Sequence, residues 1–161
     1  MQLKKIYIIG TGRSGKSFLA EQMSKNTGIR HYDLDNVVFI EVGKKERSIE
    51  QRSEELKRII SLDSWIIEGV FTEDWVMPAL EKADKIIWIE TPAITKLFRF
   101  FKKAFNRKDG FKDFYGRMLV ALGIKYKNFD RTRRRYEKLL EPFKNKVLNI
   151  KNKAETKKLV L

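Results

Sequence analysis

The sequence of 161 residues predicts an α/β fold in which a parallel sheet is flanked by helices. Short β-branched and aromatic runs, such as 6–9, 65–67 and 86–89, alternate with longer segments whose apolar residues recur at helical spacing. That alternation is typical of strand–helix–strand units, because parallel strands need a long crossover connection. A glycine-rich turn between the first strand and the first helix is the third indication, since such turns lie at the carboxyl ends of doubly wound sheets.

The glycine-rich turn fits a phosphate-binding pattern. Residues 10–17, Gly-Thr-Gly-Arg-Ser-Gly-Lys-Ser, match G-x-x-x-x-G-K-[ST], the Walker A loop. Its glycines let backbone N–H groups face a polyphosphate, and a helix beginning at about Gly15 adds its positive end. We expect Lys16 to reach the β- and γ-phosphates of ATP and the Ser17 hydroxyl to hold Mg²⁺. The predicted nucleotide-binding residues are Gly10, Thr11, Gly12, Arg13, Ser14, Gly15, Lys16, Ser17 and Phe18.

Composition excludes several other classes of site. There is no cysteine, which removes disulfides, thiolate metal sites and cysteine nucleophiles. The one histidine, His31, precedes a predicted strand, and we interpret it as a surface or packing residue. No apolar run approaches the length of about 18 residues that spans a membrane, and the start lacks a signal-peptide core. We expect one domain over 1–161, in a soluble protein of the cytoplasm.

The positive charge is unevenly distributed along the chain. The formal net charge is +14, yet residues 1–95 hold 14 Lys/Arg against 15 Asp/Glu. Residues 96–161 hold 21 against 6, so the basic character belongs to the second part of the chain. Basic segments of this kind bind phosphate or nucleic acid, or simply form a solvated face.

After the first helix, a short second strand over 29–33 leads into Asp33-Leu34-Asp35. If the strand persists, both carboxylates point the same way at its carboxyl end, where α/β proteins bind ligands. They would then act on a substrate hydroxyl or on Mg²⁺-bound water. The alternative is a solvated turn in which Asp35 caps a helix. Residues 41–47 are polar and are predicted to form a mobile connection, and Ser48 then begins a capping-box helix that extends to about Leu62.

A third strand, 65–69, ends in Glu68 and Gly69. If it lies beside the phosphate-loop strand, Glu68 occupies a Walker B-like position and reaches Mg²⁺ or the acceptor; the alternative is an acidic turn residue. A helix is predicted from Thr72 or Glu73 to Ala83, with Pro78 weakening its middle. Residues 85–90 then form a fourth strand of the same buried type.

A basic, lid-like helical segment is predicted over about 92–142. Its first helix has an apolar stripe, with basic residues mostly off that face: Lys96, Arg99, Lys102, Lys103 and Arg107. A core-facing helix with a solvated basic face, a lid over nucleotide phosphates and a membrane-surface helix are all compatible with this pattern. The run 131–135 opens another helix, which either binds phosphate or nucleic acid or is solvated. A fifth strand over 147–150 and a closing helix over 154–161 complete the prediction.

The order of these elements resembles the bacterial DNA topology modulation proteins, which are relatives of adenylate kinase. The resemblance lies in the Walker A loop, Asp33-Leu34-Asp35, the stretch Trp-Ile-Ile-Glu-Gly at 65–69, the stretch Lys-Ile-Ile-Trp-Ile-Glu-Thr-Pro at 85–92 and the basic helix. It covers residues 1 to about 108 and resumes in the Arg-rich helix and the last strand. It implies a three-layer P-loop kinase fold with a five-stranded parallel sheet in the order 2-3-1-4-5.

The residues and the resemblance together favour a kinase that uses ATP and Mg²⁺ and acts on a nucleoside, a nucleotide or a similar small acceptor. The predicted catalytic residues are Lys16, Asp35 and Arg99. The predicted acceptor-binding residues are Asp33, Asp35, Glu68, Gly69, Lys103 and Arg107, and the predicted Mg²⁺ ligands are Ser17 and Glu68.

Two other functional classes stay open at this point. One is a nucleic-acid-binding regulator that uses ATP as a switch, favoured by the basic second part of the chain and its interleaved aromatic residues. The other is a protein that binds nucleotide without turnover. The Phe-rich helix after Pro92 suits a homodimer interface as well as a lid.

Overall fold

The computed structural model describes residues 3–12, 14–41, 45–90, 126–151 and 155. Within these ranges its elements follow the alternating pattern of an α/β fold. Two 3₁₀ turns, Asp74–Val76 and Glu141–Phe143, accompany the regular elements. In chain order the helices and strands are β1 (Lys5–Gly10), α1 (Lys16–Thr27), β2 (His31–Asp33), α2 (Leu34–Val38), β3 (Phe39–Glu41), β4 (Lys45–Glu46), α3 (Ile49–Ile60), β5 (Trp65–Gly69), α4 (Met77–Lys82), β6 (Lys85–Ile89), α5 (Tyr126–Leu140) and β7 (Val147–Ile150).

Five strands form the main sheet, in the order β2-β5-β1-β6-β7. All four pairings between neighbours are parallel. Numbered among themselves along the chain, the five strands have the order 2-3-1-4-5, which confirms the fold expected from the resemblance. Strands β2 and β5 lie on one side of β1, and β6 and β7 lie on the other. The direction in which the chain adds strands therefore reverses at β1. Ligands bind at the carboxyl ends of strands at such a point.

Helices cover both faces of this sheet. On one face, Leu19, Ala20 and Met23 of α1 pack on isoleucines of β1, β5 and β6. On the other face, α2 to α5 pack on a larger cluster that includes Tyr7, Trp65 and Trp88. The nearly continuous burial along β1 and β5 is what a parallel sheet covered on both faces requires.

Several helix boundaries follow the local signals read from the sequence. Gly28 ends α1 with a φ of 73°, a left-handed conformation that glycine adopts without strain. Ser48 and Gln51 form the predicted capping box at the start of α3. Pro78 lies in the first turn of α4, where its missing N–H costs no hydrogen bond, so the helix begins there instead of being weakened in its middle.

Three local predictions need correction. The stretch around 41–47 is predicted as a polar connection, yet Phe39–Glu41 and Lys45–Glu46 pair as an antiparallel hairpin. The Arg-rich helix begins at Tyr126, five residues before the run at 131–135. The spacing of Ile49, Leu56, Ile59 and Ile60 predicts one apolar face for α3, yet Ile49 in the first turn is exposed, and Leu56 and Ile60 are the buried residues of that helix. Within the described ranges, no helix is long and apolar enough to cross a membrane.

Candidate functional site

The Walker A segment connects β1 to α1 at the carboxyl edge of the sheet. Gly15 has a φ of 102° and precedes the first residue of α1, so a residue with a side chain would be strained there. A Cβ on Gly10, the last residue of β1, would lie 2.6 Å from the carbonyl oxygen of Ile89 in β6, so a residue with a side chain would clash there. The Ser14 N–H donates to the Thr11 carbonyl at 3.2 Å. These contacts curl the backbone in the manner of a phosphate loop.

Lys16 is the buried cation of the site, with only 6% of its surface exposed. Its Nζ donates to the Thr11 carbonyl at 3.3 Å. Burial lowers the pKa of Lys16, whereas the negative charges of Glu68, Asp33 and Asp35 act to raise it. The sheet thus brings all three predicted carboxylates within electrostatic reach of the Walker lysine.

Glu68 lies on β5, directly beside the phosphate-loop strand, which is the condition set for its Walker B-like role. Its backbone is in register with Ile8 on one side and with Asp33 on the other. The residue is 98% buried, and burial raises the pKa of its carboxyl while a hydrogen bond from Ser17 lowers it. Its Oε1 has no hydrogen-bond partner among the described residues. A buried carboxylate oxygen without a partner is costly, and such atoms mark places where a ligand completes the structure.

Asp33 and Asp35 lie close together, but through a helix cap and not through the extended strand that was expected. The strand ends at Asp33, whose side chain caps α2 by accepting a hydrogen bond from the Asp35 N–H at 2.9 Å. Asp35 is therefore in the first turn of a helix and does not extend the strand as the spacing argument assumed. Burial, and then the charge of Asp33, raise the pKa of Asp35. The cap keeps the two carboxylates adjacent at the carboxyl end of β2.

Gly69 packs against the same turn. A Cβ placed on it would lie 2.8 Å from Cδ1 and 3.0 Å from Cβ of Leu34, the residue between the two aspartates. The missing side chain therefore lets α2 approach the end of β5. Gly69 therefore helps to set the position of Asp35 through its contact with Leu34. Its predicted contact with the acceptor stays a prediction.

His31 is a candidate residue that the sequence analysis placed outside the site. It stands two residues before Asp33, so both side chains are on the same face of β2 as Glu68 is on β5. The His31 Nε2 lies 3.9 Å from Oε1 of Glu68, too far for a hydrogen bond, and neither atom has a partner among the described residues. The sequence contains a signal for this: side chains alternate between the two faces of a strand, so positions 31 and 33 lie on the same face.

Arg47 binds the carboxyl end of α2, a role that the sequence analysis did not predict. One guanidinium nitrogen donates to the carbonyls of Asn36, Val37 and Phe39, at 2.8, 3.2 and 2.8 Å. The first two are carbonyls of the last turn of α2, which has no intrahelical donor for them, and the third belongs to Phe39, the first residue of β3. Arg52 in turn donates to the Arg47 carbonyl and pairs with Glu46. The hairpin β3–β4 and the start of α3 thereby hold α2, the short helix that contains Asp35.

Helix α5 meets the same edge of the sheet. The Tyr136 hydroxyl donates to the carbonyl of Val70, the residue after β5, and its ring packs near Trp88 with centroids 6.3 Å apart. One turn earlier, Arg133 Nε lies 3.1 Å from Glu90 at the end of β6 and 3.0 Å from Glu137. Arg133, from the predicted basic run, is therefore close to the carboxyl end of the strand next to β1.

The remaining predicted site residues divide into two groups. Phe18 is 63% exposed in the first turn of α1, one residue after Ser17, and its nucleotide contact stays a prediction. Four basic residues with predicted roles lie outside the described residues, as does most of the lid-like segment: Arg13, Arg99, Lys103 and Arg107.

The chemistry of the donor set suits a nucleotide with its metal. Among the described residues, no group of three or more His, Asp or Glu side chains is arranged to hold a metal ion alone. Mg²⁺ seldom uses such a cage, because it is held by one or two protein oxygens, by waters and by the phosphates of the substrate. The Ser17 hydroxyl beside the buried Glu68 carboxylate fits that requirement.

The comparisons with known proteins place the fold and leave the activity open. No protein-family model matches the sequence. A curated relative from Bacillus subtilis (strain 168), the uncharacterized protein YqaC, is 27% identical over 124 residues. The match covers 76% of this chain and 65% of that protein, so the chain spans about two thirds of its relative's length.

Solved kinases share the architecture over nearly the whole chain. A shikimate kinase from Acinetobacter baumannii, in complex with shikimate, is 15% identical with a TM-score of 0.57, over 99% of this chain and 89% of that one. A shikimate kinase from Bacteroides thetaiotaomicron gives 15% and 0.58, over 99% and 95%. A sugar kinase from a Janibacter species gives 15% and 0.53, over 99% and 91%. The chain therefore has the fold of the P-loop kinases, while the likeness to DNA topology modulation proteins stays a prediction.

Proposed function

We propose that this protein is a kinase that transfers the γ-phosphoryl group of ATP, as its Mg²⁺ complex, to a hydroxyl group of a small acceptor such as a nucleoside or a nucleotide. The observation that carries the proposal is the meeting of the buried Lys16 with Asp33, Asp35 and Glu68 at the carboxyl edge of the sheet. Phosphoryl transfer depends on positioning and charge neutralisation, and this cluster offers a cation for phosphate oxygens beside carboxylates for an acceptor and a metal.

Each residue then has a distinct role in the proposed reaction. The backbone N–H groups of the Walker A loop hold the phosphates, and the Lys16 ammonium neutralises charge on the transferred group. The Ser17 hydroxyl and the Glu68 carboxylate hold Mg²⁺, which supplies further charge neutralisation when it is bound. Asp35, fixed by Asp33, accepts the proton of the attacking hydroxyl.

The experiment that tests this function measures ADP formation from Mg²⁺-ATP with nucleosides, nucleoside monophosphates, simple sugars and buffer alone. Wild-type protein is expected to form ADP in an acceptor-dependent manner. Lys16→Ala removes the buried ammonium, so turnover is expected to fall about 10²-fold or more with little change in stability. The matched control is Lys25→Ala, which removes an exposed lysine of the same helix that pairs with Glu21.

Two results would contradict the proposal. Unchanged turnover in Lys16→Ala would remove the phosphate loop from the reaction. ADP formation that no acceptor stimulates would favour the alternatives, a nucleotide-dependent regulator or a binding protein. In that case a DNA shift assay at increasing salt would follow, since binding to phosphates weakens steeply with ionic strength.

A further inference from the structure

His31 is the single histidine of the chain, and the proposed reaction gives it no role. It begins β2, the strand that pairs with β5, and its ring lies beside the carboxylate of Glu68. The His31 Nε2 is 3.9 Å from the Glu68 Oε1, and both atoms are buried without a hydrogen-bond partner among the residues that the structure describes. A ring nitrogen that can donate and a carboxylate oxygen that can accept therefore lie side by side, each still unsatisfied.

The two oxygens of the Glu68 carboxylate have different surroundings. A hydrogen bond from Ser17 lowers the pKa of Glu68, against the larger effect of burial, which raises it. Oε1 has no such donor within the described part of the chain. A buried anionic oxygen without a donor is costly, because nothing replaces the water that it has lost. A donor at Oε1 would stabilise the charged form of Glu68 and restrict its orientation.

Other charged groups close to His31 make contacts of their own. The pKa of Glu21 in α1 is lowered mainly by its hydrogen bond from Lys25, at 2.7 Å, and to a smaller extent by His31. The Arg30 guanidinium lies over the Tyr32 ring, 5.1 Å from its centroid, and Tyr32 packs against the cluster on the opposite face of the sheet. Neither contact occupies the His31 Nε2.

A small rotation is enough to close the gap between the two atoms. A hydrogen bond from an N–H to a carboxylate is about 2.8 Å long, so Nε2 and Oε1 need to approach by about 1 Å. The histidine ring and the glutamate carboxylate both turn about sp³–sp² bonds, whose torsional wells are broad. An approach of this size therefore costs little and needs no movement of the backbone.

We propose that His31 is a positioning residue for Glu68, whose Oε1 accepts a hydrogen bond from the His31 Nε2–H when Mg²⁺ and nucleotide bind. The proposal rests on the proposed function, which assigns Glu68 to Mg²⁺. In this role His31 touches neither the metal nor the reacting atoms, and it acts by holding the carboxylate charged and in one orientation. Loss of such a partner of a metal ligand lowers metal affinity or activity by about 10- to 100-fold.

The single histidine makes a direct measurement possible by NMR. Long-range correlation of the ring protons with the ring nitrogens, in the full chain, reports which nitrogen carries the proton in the neutral ring. We expect the proton on Nε2, and we expect the ring signals to change in Glu68→Gln and on addition of Mg²⁺-ADP. A proton on Nδ1 alone, or ring signals that neither change affects, would overturn the proposal.

Calorimetry separates an effect on the metal from an effect on the fold. ADP binding is measured with Mg²⁺ and with EDTA, and the ratio of the two affinities gives the contribution of the metal. His31→Phe keeps an aromatic ring but removes the donor, so this ratio is expected to fall about tenfold or more. Binding of metal-free ADP is expected to stay unchanged. His31→Gln, whose amide can donate from a similar position, should recover most of the ratio.

The matched control is Glu21→Gln, which removes the other carboxylate that interacts with His31. It lies outside the proposed site and should leave the ratio unchanged. If His31→Phe weakens ADP binding equally with and without Mg²⁺, or if His31→Gln is impaired as much as His31→Phe, the role is only structural and the proposal is overturned. A wild-type protein whose ADP affinity does not depend on Mg²⁺ would overturn it too.

ADP formation from Mg²⁺-ATP tests the proposed function separately. If acceptor-dependent turnover and its dependence on Mg²⁺ are the same in His31→Phe as in wild type, the positioning role is overturned and the kinase proposal stands. If His31→Phe lowers the metal-dependent ratio but no acceptor stimulates ADP formation in the wild type, the contact with Glu68 is supported and the kinase proposal fails.

Discussion

A methyl group on Gly69 would collide with Leu34, and this collision tests whether the end of β5 positions Asp35. The added Cβ would lie 2.8 Å from Leu34 Cδ1, 3.0 Å from Cβ and 3.2 Å from Cγ. Leu34 is fully buried and is the first residue of α2, so its side chain has no free space to enter. We therefore expect Gly69→Ala to shift α2 and, with it, the neighbouring Asp35.

The magnitude follows from two opposing terms. Overpacking a buried site costs about 1–3 kcal/mol, and alanine in place of glycine recovers about 0.4–1 kcal/mol through the unfolded chain. The net loss of about 1–2 kcal/mol lowers Tm by roughly 2–8 °C in a chain of this size. If Asp35 is the proposed base, kcat falls about tenfold to a hundredfold, since small misplacements of catalytic groups are costly. The KM for ATP changes little, because the Walker A loop is not displaced.

Thermal unfolding and steady-state turnover measure the two effects. Gly12→Ala is the stability control, because a Cβ there meets nothing within 4 Å. Leu34→Ala removes Cγ and Cδ1, so the double variant with Gly69→Ala should be less destabilised than the sum of the two changes by about 0.5–1 kcal/mol. Wild-type stability in Gly69→Ala, or strict additivity in the double variant, would refute the proposed contact between β5 and α2.

Three further changes test the supports of the site. Arg47→Met removes three charged hydrogen bonds, so amide exchange in α2 should accelerate while α1 is unaffected; equal exchange in both proteins would contradict the clamp. Ser48→Ala should cost about 1 kcal/mol in urea unfolding through loss of the capping box, and Ser53→Ala, a mid-helix control, should cost less. Burial raises the pKa of Tyr136 to about 12, so its contribution to stability is complete below pH 10, the unfolded pKa, and is lost as the pH rises through 12. Alkaline unfolding of Tyr136→Phe should accordingly be less steep in that window, and an identical profile would count against the buried hydroxyl.

The agreement between sequence and structure is closest where a signal is local. The Walker A spacing, the capping box at Ser48 and the end of α1 at Gly28 each involve residues within one or two turns, and all appear as predicted. The five main strands also appear; β1, β5 and β6 are buried runs rich in β-branched and aromatic residues, which have few alternatives in a chain with interleaved helices, whereas β2 and β7 are shorter and only partly buried. The hairpin β3–β4 was not predicted, since its strands are short and polar and the pairing is made by contacts with Arg47 and Arg52.

The class of fold, the phosphate loop and the three carboxylates are predictable from the amino-acid sequence, because periodicity and motif spacing are properties of neighbouring residues. The order of the strands came only from the resemblance to a known family. Contacts across the fold set what these residues face: Glu68 lies beside β1, the His31 Nε2 lies 3.9 Å from the Glu68 Oε1, and Arg47 is bound to carbonyls at the end of α2. Such contacts join residues far apart in the chain and depend on strand register and on where a helix begins. A spacing rule applied to Asp33 and Asp35 therefore predicted their proximity but not the helix cap that produces it.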